Sequence, residues 1–144
     1  MNMPSASISH HVFEHPIRIY WEDTDAGGIV FYANYLKFFE RARTEWLRHL
    51  GLEQQHLRET TGGMFVVTHT SLRYLLPARL DDVIQVSAQL QDKGRASLSL
   101  MQQASRQDGA TSTLLCEGSI RIGWVDAASM RPARIPPSLL DLLP

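Results

Sequence analysis

The chain has 144 residues, of which 44% are hydrophobic, and this is enough for one domain with a core of its own. Its 14 lysines and arginines nearly balance its 15 aspartates and glutamates, so the net charge gives no reason to expect nucleic acid or an anionic membrane as a partner. The first residues lack the pattern of a secretory signal, and no apolar run reaches the length of a membrane span. The sequence therefore predicts a cytoplasmic protein without a transmembrane segment. The single cysteine, Cys116, has no partner for an internal disulfide and is expected to be buried.

The N-terminal part of the chain predicts a flexible tail, a strand and a loop. Residues 1–12 contain a proline and a run of serines and alanines, so we expect one domain to span residues 13–144. The segment HPIRIYWE (residues 15–22) alternates apolar and polar side chains, which predicts a half-buried strand with Trp21 among its inner residues. The following DTDAGG breaks the pattern.

The strongest helical pattern covers residues 32–50. Its apolar side chains recur at steps of three and four residues, and charged side chains occupy the other side. The apolar set consists of Tyr35, Leu36, Phe39, Ala42, Trp46, Leu47 and Leu50. Gly51 suits the C-terminal cap, and Arg41 is expected to pair with Glu45 on the solvent side. Residues 54–59 predict a further short helix.

Beyond this point the sequence predicts four strands, in MFVVTHTSLRYLL, VIQVSAQLQ, ASLSLMQQAS and TSTLLCEGSIRIGWV. Turns are expected at residues 77–82, 93–94 and 108–109, and the closing PPSLLDLL predicts a last helical turn. One helix must then cover one face of an antiparallel sheet, which is an α+β architecture. A sheet of that size leaves apolar surface and open edges, so the pattern also predicts self-association.

A loop of acidic residues and glycines joins the first predicted strand to the long helix. In DTDAGGIVFY (residues 23–32), Asp23 and Asp25 share a tight loop, Gly27 and Gly28 let the backbone approach a ligand, and the helix start supplies unpaired amides. Such amides stabilise a developing oxyanion, and the loss of one donor costs about a hundred- to a thousandfold in known acyl-transfer enzymes. The loop therefore suits acyl transfer, although turn and cap chemistry alone also explains its residue types.

Other chemistries fit this loop less well. A calcium loop begun at Asp23 would have Asn34 as its twelfth residue, where a bidentate glutamate is required. A phosphatase of the aspartyl type needs a parallel sheet with several crossover helices. The six histidines form no metal-ligand spacing, and neither a GxxxxGK phosphate loop nor a GxSxG nucleophile elbow occurs. We therefore expect no metal and no cofactor.

The run YWEDTDAGGIVFYANYLKFFERARTEWLRHLG resembles the signature of the 4-hydroxybenzoyl-CoA thioesterase family. Within that family it closely resembles the branch associated with the Tol-Pal cell-envelope system. The later YLLPARLDDVIQV and RPARIPPSLL resemble the same branch, so the likeness covers the chain from Phe13 on. The resemblance implies a hot-dog fold, in which an antiparallel sheet wraps around one long central helix.

The resemblance also implies roles for individual residues. The second aspartate of the family's D-x-D loop is the catalytic carboxylate, and it falls on Asp25. The family's oxyanion donor is a backbone amide at the start of the central helix, which falls at or near Tyr32. Many members of the branch have histidine there, whereas the 4-hydroxybenzoyl enzyme is similar to this chain in having tyrosine, which argues against a histidine-assisted step. The candidate substrate-binding residues of the same segment are Gly28, Val30, Phe31 and Asn34.

Neighbouring polar residues have more ordinary explanations. Asp23 and Thr24 are expected to hold the loop through side-chain bonds to backbone amides. Asn34 suits ligand contact and a polar helix start equally. Glu40 and Arg43 are expected to form a surface or interface ion pair, and the resemblance makes Glu40 a candidate for supporting the catalytic carboxylate. No single arginine or lysine is assigned to the phosphates of coenzyme A.

The function implied is hydrolysis of acyl-CoA or acyl-carrier thioesters by a cytoplasmic homodimer or homotetramer, with active sites between subunits. An acyl carrier protein is a possible partner. Asp25 would attack the carbonyl itself or act as general base on a water molecule. A hydratase or dehydratase on the same fold would need a histidine near the helix start, and residues 23–40 contain none. A non-catalytic acyl-thioester sensor or scaffold is the alternative that the sequence leaves open.

Overall fold

A computed structural model describes residues 12–144 of the chain. The predicted tail lies outside the described residues except for Val12, and the start of the domain at Phe13 stays a prediction. Five antiparallel strands form one sheet in the spatial order β1-β3-β4-β5-β2. Their bounds are Phe13–Arg18 for β1, Gly63–Tyr74 for β2, Val83–Lys93 for β3, Ser97–Asp108 for β4 and Thr111–Asp126 for β5. The α+β prediction and the four later strands are confirmed.

Three helices accompany the sheet: α1 at Asn34–His49, α2 at Gln54–Thr61 and α3 at Pro137–Leu140. The long helix α1 packs its apolar face on β3 and β1, and the core formed there is continuous with the inner residues of β4 and β5. Gly51 follows α1 with a φ of 86°, and its N–H donates to the Arg48 carbonyl (3.0 Å), which confirms the predicted cap. The short second helix and the last helical turn are confirmed as well.

Two predicted inner side chains lie on the surface. The first strand ends at Arg18, and Trp21 lies in a 3₁₀ turn formed by Trp21–Asp23, so its side chain is 80% exposed. The prediction extended a strict alternation past the end of β1, where the turn changes the direction of each side chain. Leu36 is 48% exposed because it lies beside the buried stripe of α1, which includes Phe38 instead.

A polar group in the core joins α1 to the sheet. Gln102 continues the inward-facing row of β4, is fully buried, and donates through Nε2 to the carbonyls of Phe39 and Ser87 (3.0 Å each). Its Oε1 accepts a hydrogen bond from Nη1 of Arg43 (3.0 Å). Both amide hydrogens and the amide oxygen are therefore satisfied inside the core, as burial requires.

The predicted ion pair between Glu40 and Arg43 is wrong. The Arg43 side chain is buried against Gln102, and the Glu40 carboxylate instead accepts a hydrogen bond from the Thr44 hydroxyl (2.7 Å). Burial lowers the pKa of Arg43, and the charge of Glu40 opposes that shift. On the solvent side of α1, Glu45 pairs with Arg48 and not with Arg41 as predicted.

The strand β2 forms one edge of the sheet. Within the described part of the chain it pairs only with β5, so its other edge has no partner strand. From Val67 to Ser71 every residue is exposed, which means that neither face of this stretch is covered. Val67, Tyr74, Leu75 and Leu76 leave large apolar side chains on the surface along this edge and just beyond it.

Candidate active site

Asp23 fixes the loop between β1 and α1. Its Oδ2 accepts a hydrogen bond from the Tyr20 N–H (2.8 Å), and its carbonyl accepts from the Phe31 N–H (3.0 Å) and from Nδ2 of Asn34 (2.8 Å). The side chain is buried. The structural role predicted for Asp23 is confirmed. Thr24 also holds the loop, but its hydroxyl donates to the Trp21 carbonyl (3.0 Å) and not to an amide.

Asp25 lies two residues further on, in a different environment. It is exposed, and its Oδ1 accepts a hydrogen bond from the Gly27 N–H (2.8 Å). Its own N–H donates to the Ile29 carbonyl (2.9 Å), and its carbonyl accepts from Gly28 (3.0 Å), which closes a tight turn. Gly28 has a φ of 78°, a conformation that glycine adopts without steric cost. The carboxylate is thus anchored through one oxygen, while Oδ2 accepts no hydrogen bond from residues 12–144.

The segment that leads into α1 leaves two neighbouring amides without acceptors. The N–H groups of Val30 and Phe31 donate to the carbonyls of Ala78 (2.9 Å) and Asp23 (3.0 Å). The N–H groups of Tyr32 and Ala33, by contrast, have no acceptor in the described chain. They belong to the residues just before α1, where backbone amides carry the positive end of the helix dipole. The family resemblance implies an oxyanion donor at or near Tyr32, and that role stays a prediction.

An apolar cavity of about 230 Å³ opens at the start of α1. We call it the tyrosine pocket, and its lining residues are Ile29, Val30, Tyr32, Tyr35, Tyr74, Leu75, Leu76 and Pro77. The ring centroids of Tyr32 and Tyr74 are 5.9 Å apart, and those of Tyr35 and Tyr74 are 5.8 Å apart. A pocket with three tyrosine rings and aliphatic walls suits an apolar ligand with a few polar contacts.

The predicted site residues divide into two groups around this pocket. Val30 and Tyr32 line it, whereas Asp25 and Gly28 are exposed in the adjoining turn. Phe31 does not line the pocket but packs against the Tyr32 ring, with the centroids 4.9 Å apart. The Asn34 amide nitrogen is bound to the Asp23 carbonyl, so this side chain holds the helix start to the loop. Its contact with a substrate stays a prediction.

The sequence did not predict that Tyr35 and the segment after β2 line the tyrosine pocket. Tyr35 was assigned to the core, and it is 3% exposed; its hydroxyl makes no hydrogen bond of normal geometry in the described chain, and the Ala78 amide is the backbone group that approaches it. Burial raises the pKa of Tyr35 to about 12, and the Ala78 amide opposes that shift. Burial also raises the pKa of Tyr74. The sequence contained one signal for this role. Tyr35 has a hydroxyl at a position where phenylalanine would fill the core equally well.

No group of histidine, cysteine or acidic side chains that could hold a metal ion occurs among residues 12–144. The same residues include no helix that is long and apolar enough to cross a bilayer. The candidate site presents one anchored carboxylate, two unpaired amides and one apolar pocket.

Comparison with known proteins places the chain in a family. The model of the thioesterase-like superfamily matches residues 19–143. The chain belongs to this superfamily. It is 40% identical over 129 residues to a protein named acyl-CoA thioester hydrolase YbgC from Escherichia coli, which covers 90% of this chain and 93% of the relative. A probable thioesterase from Bartonella henselae has a similar structure, with a TM-score of 0.80, 27% identity and coverage of 88% and 100% of the two chains.

A mutant 4-hydroxybenzoyl-CoA thioesterase in complex with 4-hydroxybenzoyl-CoA has the same fold, with a TM-score of 0.86 at 20% identity over 92% of this chain and 99% of that one. The predicted hot-dog fold and the family resemblance are confirmed. Family membership also makes thioester hydrolysis the activity for which the site must account. The roles of individual residues rest on the geometry of this chain.

Proposed function

We propose that this protein hydrolyses acyl-CoA thioesters, with Asp25 as the catalytic carboxylate and the Tyr32 amide as the oxyanion donor. The observation that carries the proposal is that one short loop holds an anchored, exposed carboxylate at Asp25 and, at its other end, unpaired helix-start amides beside residues that line an apolar pocket. The YbgC relative, named an acyl-CoA thioester hydrolase, supports acyl-CoA as the substrate. Esters of acyl carrier protein contain the same thioester and belong to the proposed substrate range.

The reaction follows from these groups. The acyl group enters the tyrosine pocket, and the thioester carbonyl accepts a hydrogen bond from the Tyr32 N–H. This bond strengthens as negative charge develops on the oxygen, and the dipole of α1 adds to the effect. A water molecule attacks the carbonyl carbon while Asp25 takes its proton. The C–S bond of the tetrahedral intermediate then breaks to give the carboxylic acid. Asp25 returns the proton to the departing sulfur, and coenzyme A leaves as the thiol.

The same carboxylate also suits direct attack, which would give a mixed anhydride that water then opens. Single-turnover hydrolysis in ¹⁸O-labelled water tests for the anhydride. Label within the Asp25 carboxylate would establish an anhydride that water opens at the aspartyl carbon, because general-base catalysis leaves the oxygens of the enzyme in place, as does opening at the acyl carbon.

A second copy of the chain would complete the site. In a single chain Asp25 is exposed to solvent and the tyrosine pocket is open, whereas an oxyanion donor is most effective where water is excluded. The uncovered edge strand β2 leads directly into Leu75, Leu76 and Pro77 of the pocket wall. We propose a homodimer or homotetramer in which this edge is covered and the active sites lie between subunits.

We further propose that the protein acts in the cytoplasm, as its substrate class and its single, buried free cysteine suggest. The resemblance to the Tol-Pal branch extends this proposal to a site of action beside the cell envelope.

The first experiment compares thiol release by the native protein and by Asp25→Asn on short, long and aromatic acyl-CoA esters. We expect at least one ester to be hydrolysed and the variant to lose several hundredfold or more in kcat at an unchanged melting temperature. Asp92→Asn, at the far end of β3, is the matched control and should keep native activity. An Asp25→Asn variant as active as the native protein would refute the assignment.

The competing function is a non-catalytic sensor or scaffold that binds acyl thioesters in the same pocket. It predicts tight binding of acyl-CoA without thiol release from any ester, including acyl-carrier esters. That result with folded native protein would replace the hydrolase proposal.

A further inference from the structure

The start of α1 is open at a place where a capping side chain is usual. The residue before the helix is Ala33, which has no side-chain oxygen that could accept a hydrogen bond from the first amides. The N–H groups of Tyr32 and Ala33 accordingly have no acceptor in the described chain. Asparagine is a good capping residue, but Asn34 lies one position too late to cap, and its own N–H donates to the Phe31 carbonyl (2.8 Å).

The Asn34 side chain points back to the loop that carries Asp25. Its Nδ2 donates to the Asp23 carbonyl (2.8 Å), and the same oxygen accepts the Phe31 N–H (3.0 Å). Among residues 12–144, this is the only hydrogen bond between a side chain of α1 and residues 23–30. The Asp23 end of the link is itself fixed, because Oδ2 of Asp23 accepts the Tyr20 N–H (2.8 Å). One side-chain amide therefore joins the helix start to the loop.

The loop is a small hairpin that is tied together by its own hydrogen bonds. Thr24 pairs with Val30 in an antiparallel bridge, and the Asp25 N–H donates to the Ile29 carbonyl (2.9 Å). The Asp25 carboxylate is anchored inside this hairpin by the Gly27 N–H (2.8 Å). Its place relative to the open amides of α1 therefore depends on how the hairpin is attached to the helix.

We propose that Asn34 is a positioning residue for thioester hydrolysis. Its bond to the Asp23 carbonyl sets the Asp25 carboxylate relative to the open amides at the start of α1. This inference rests on the proposed function, in which an amide holds the thioester carbonyl while Asp25 activates the water molecule. Both contacts must form at once, and a misplacement of about 1 Å can cost about a hundredfold in rate. Asn34 thus acts on the rate of the chemical step, whereas a residue that only contacts the substrate contributes to binding.

Replacement of Asn34 should leave the fold in place. The Asp23 carbonyl keeps the Phe31 N–H, and the Val30 N–H keeps the Ala78 carbonyl (2.9 Å). The helix itself is held by its buried apolar face. Asn34→Leu keeps the size of the side chain and removes the donor. Asn34→Ser is a second, polar variant, whose hydroxyl lies one bond nearer to the backbone and falls short of the Asp23 carbonyl.

The first test compares kcat and KM of these two variants with the native values on the best acyl-CoA ester, after circular dichroism has shown that each is folded. We expect kcat to fall about tenfold to a hundredfold in both, with KM within about threefold of native. Gln55→Leu removes an exposed side-chain amide from the first turn of α2 and should keep native kinetics. A loss mainly in KM would place Asn34 at the substrate and overturn the inference, as would a native kcat in either variant.

Hydrogen exchange followed by mass spectrometry tests the same link without turnover. The Asp25 and Phe31 amides are bonded within the loop, so peptides covering residues 23–33 should exchange at least about threefold faster in Asn34→Leu and at the native rate in Gln55→Leu. Unchanged exchange would overturn the inference even if no ester is hydrolysed.

The two tests also separate the inference from the function on which it rests. A native protein that hydrolyses esters, needs Asp25 and tolerates both substitutions at Asn34 keeps the proposed function and loses only the positioning role. Faster exchange in a protein that hydrolyses no ester would leave the link between helix and loop in place, but it would refute the function and with it the role of Asn34 in catalysis.

Discussion

At the scale of single residues, two carboxylates in one short loop have different environments because of their hydrogen bonds. Asp23 is buried and accepts the Tyr20 N–H, whereas Asp25 is exposed and keeps one oxygen free. We expect Asp23→Ala to lower the free energy of unfolding by about 1–2 kcal/mol, because it leaves that amide unpaired. Asp23→Asn retains an acceptor and should stay close to native in stability and activity.

Urea unfolding and thiol release on the same protein samples check this contrast with Asp25→Asn. That variant should lose activity and keep stability, which is the opposite of Asp23→Ala. If both substitutions at Asp23 remove activity without destabilising the chain, Asp23 takes part in the chemistry, and its assignment to a structural role alone is wrong.

We expect the thiol of Cys116 to be unreactive in the folded protein. It is buried, as the sequence predicted, and burial raises its pKa from 9.0 to about 12. The thiolate is the reactive form, so its fraction at pH 8 falls from about a tenth to about one in ten thousand. We expect no reaction with a disulfide reagent over minutes at pH 8 and the release of one equivalent after unfolding. Rapid labelling of native protein would contradict this burial.

At the scale of elements, Gln102 of β4 makes two hydrogen bonds to α1 and a third to β3. Gln102→Leu should lower the free energy of unfolding by about 2–4 kcal/mol, because Arg43 and two carbonyls then lose a buried partner. Gln103→Leu is the matched control, since Gln103 is exposed on the opposite face of the same strand, and it should change stability by about 0.5 kcal/mol or less. Equal losses in the two variants by urea unfolding would show that the buried network contributes nothing specific.

Element types followed from the sequence because each has a local cause. Alternation over 83–90 and a step of three to four residues along α1 identify a strand and a helix without any tertiary information. The misplaced side chains are those decided by contacts distant in sequence. Trp21 lies in the 3₁₀ turn whose start is held by the Asp23 side chain. Arg43 turns inward because Gln102, 59 residues away, accepts its hydrogen bond.

At the scale of the whole molecule, the same distinction applies to the site. The loop from Asp23 to Tyr32 was readable because its residues are consecutive. The pocket was not, since it joins the start of α1 to residues 74–77, some forty positions later. No local spacing shows that Tyr35 and Tyr74 share a cavity, and for this reason the acyl group of the substrate could not be predicted from the sequence.

The last prediction concerns the proposed covering of the β2 edge by a second copy of the chain. Val67 is 50% exposed on β2 and lies outside the tyrosine pocket. If β2 is an interface, Val67→Glu places a charge in it and should raise the dissociation constant of the oligomer at least about tenfold, which is roughly 1.4 kcal/mol. Activity should fall with the oligomer. Leu142→Glu, at a side chain that is 53% exposed beyond α3, should affect neither.

Light scattering after size exclusion, at several protein concentrations, gives the mass of each variant, and thiol release on the same samples gives its activity. A native protein that is monomeric and fully active would refute the proposal that a second copy of the chain completes the active site. An oligomer unaffected by Val67→Glu would place the interface on another face. A decrease in activity that parallels dissociation of the oligomer would support both the proposed interface at β2 and the proposed active site between subunits. The physical reason is that a partner subunit would exclude water from the tyrosine pocket and so strengthen the electrostatic interactions there.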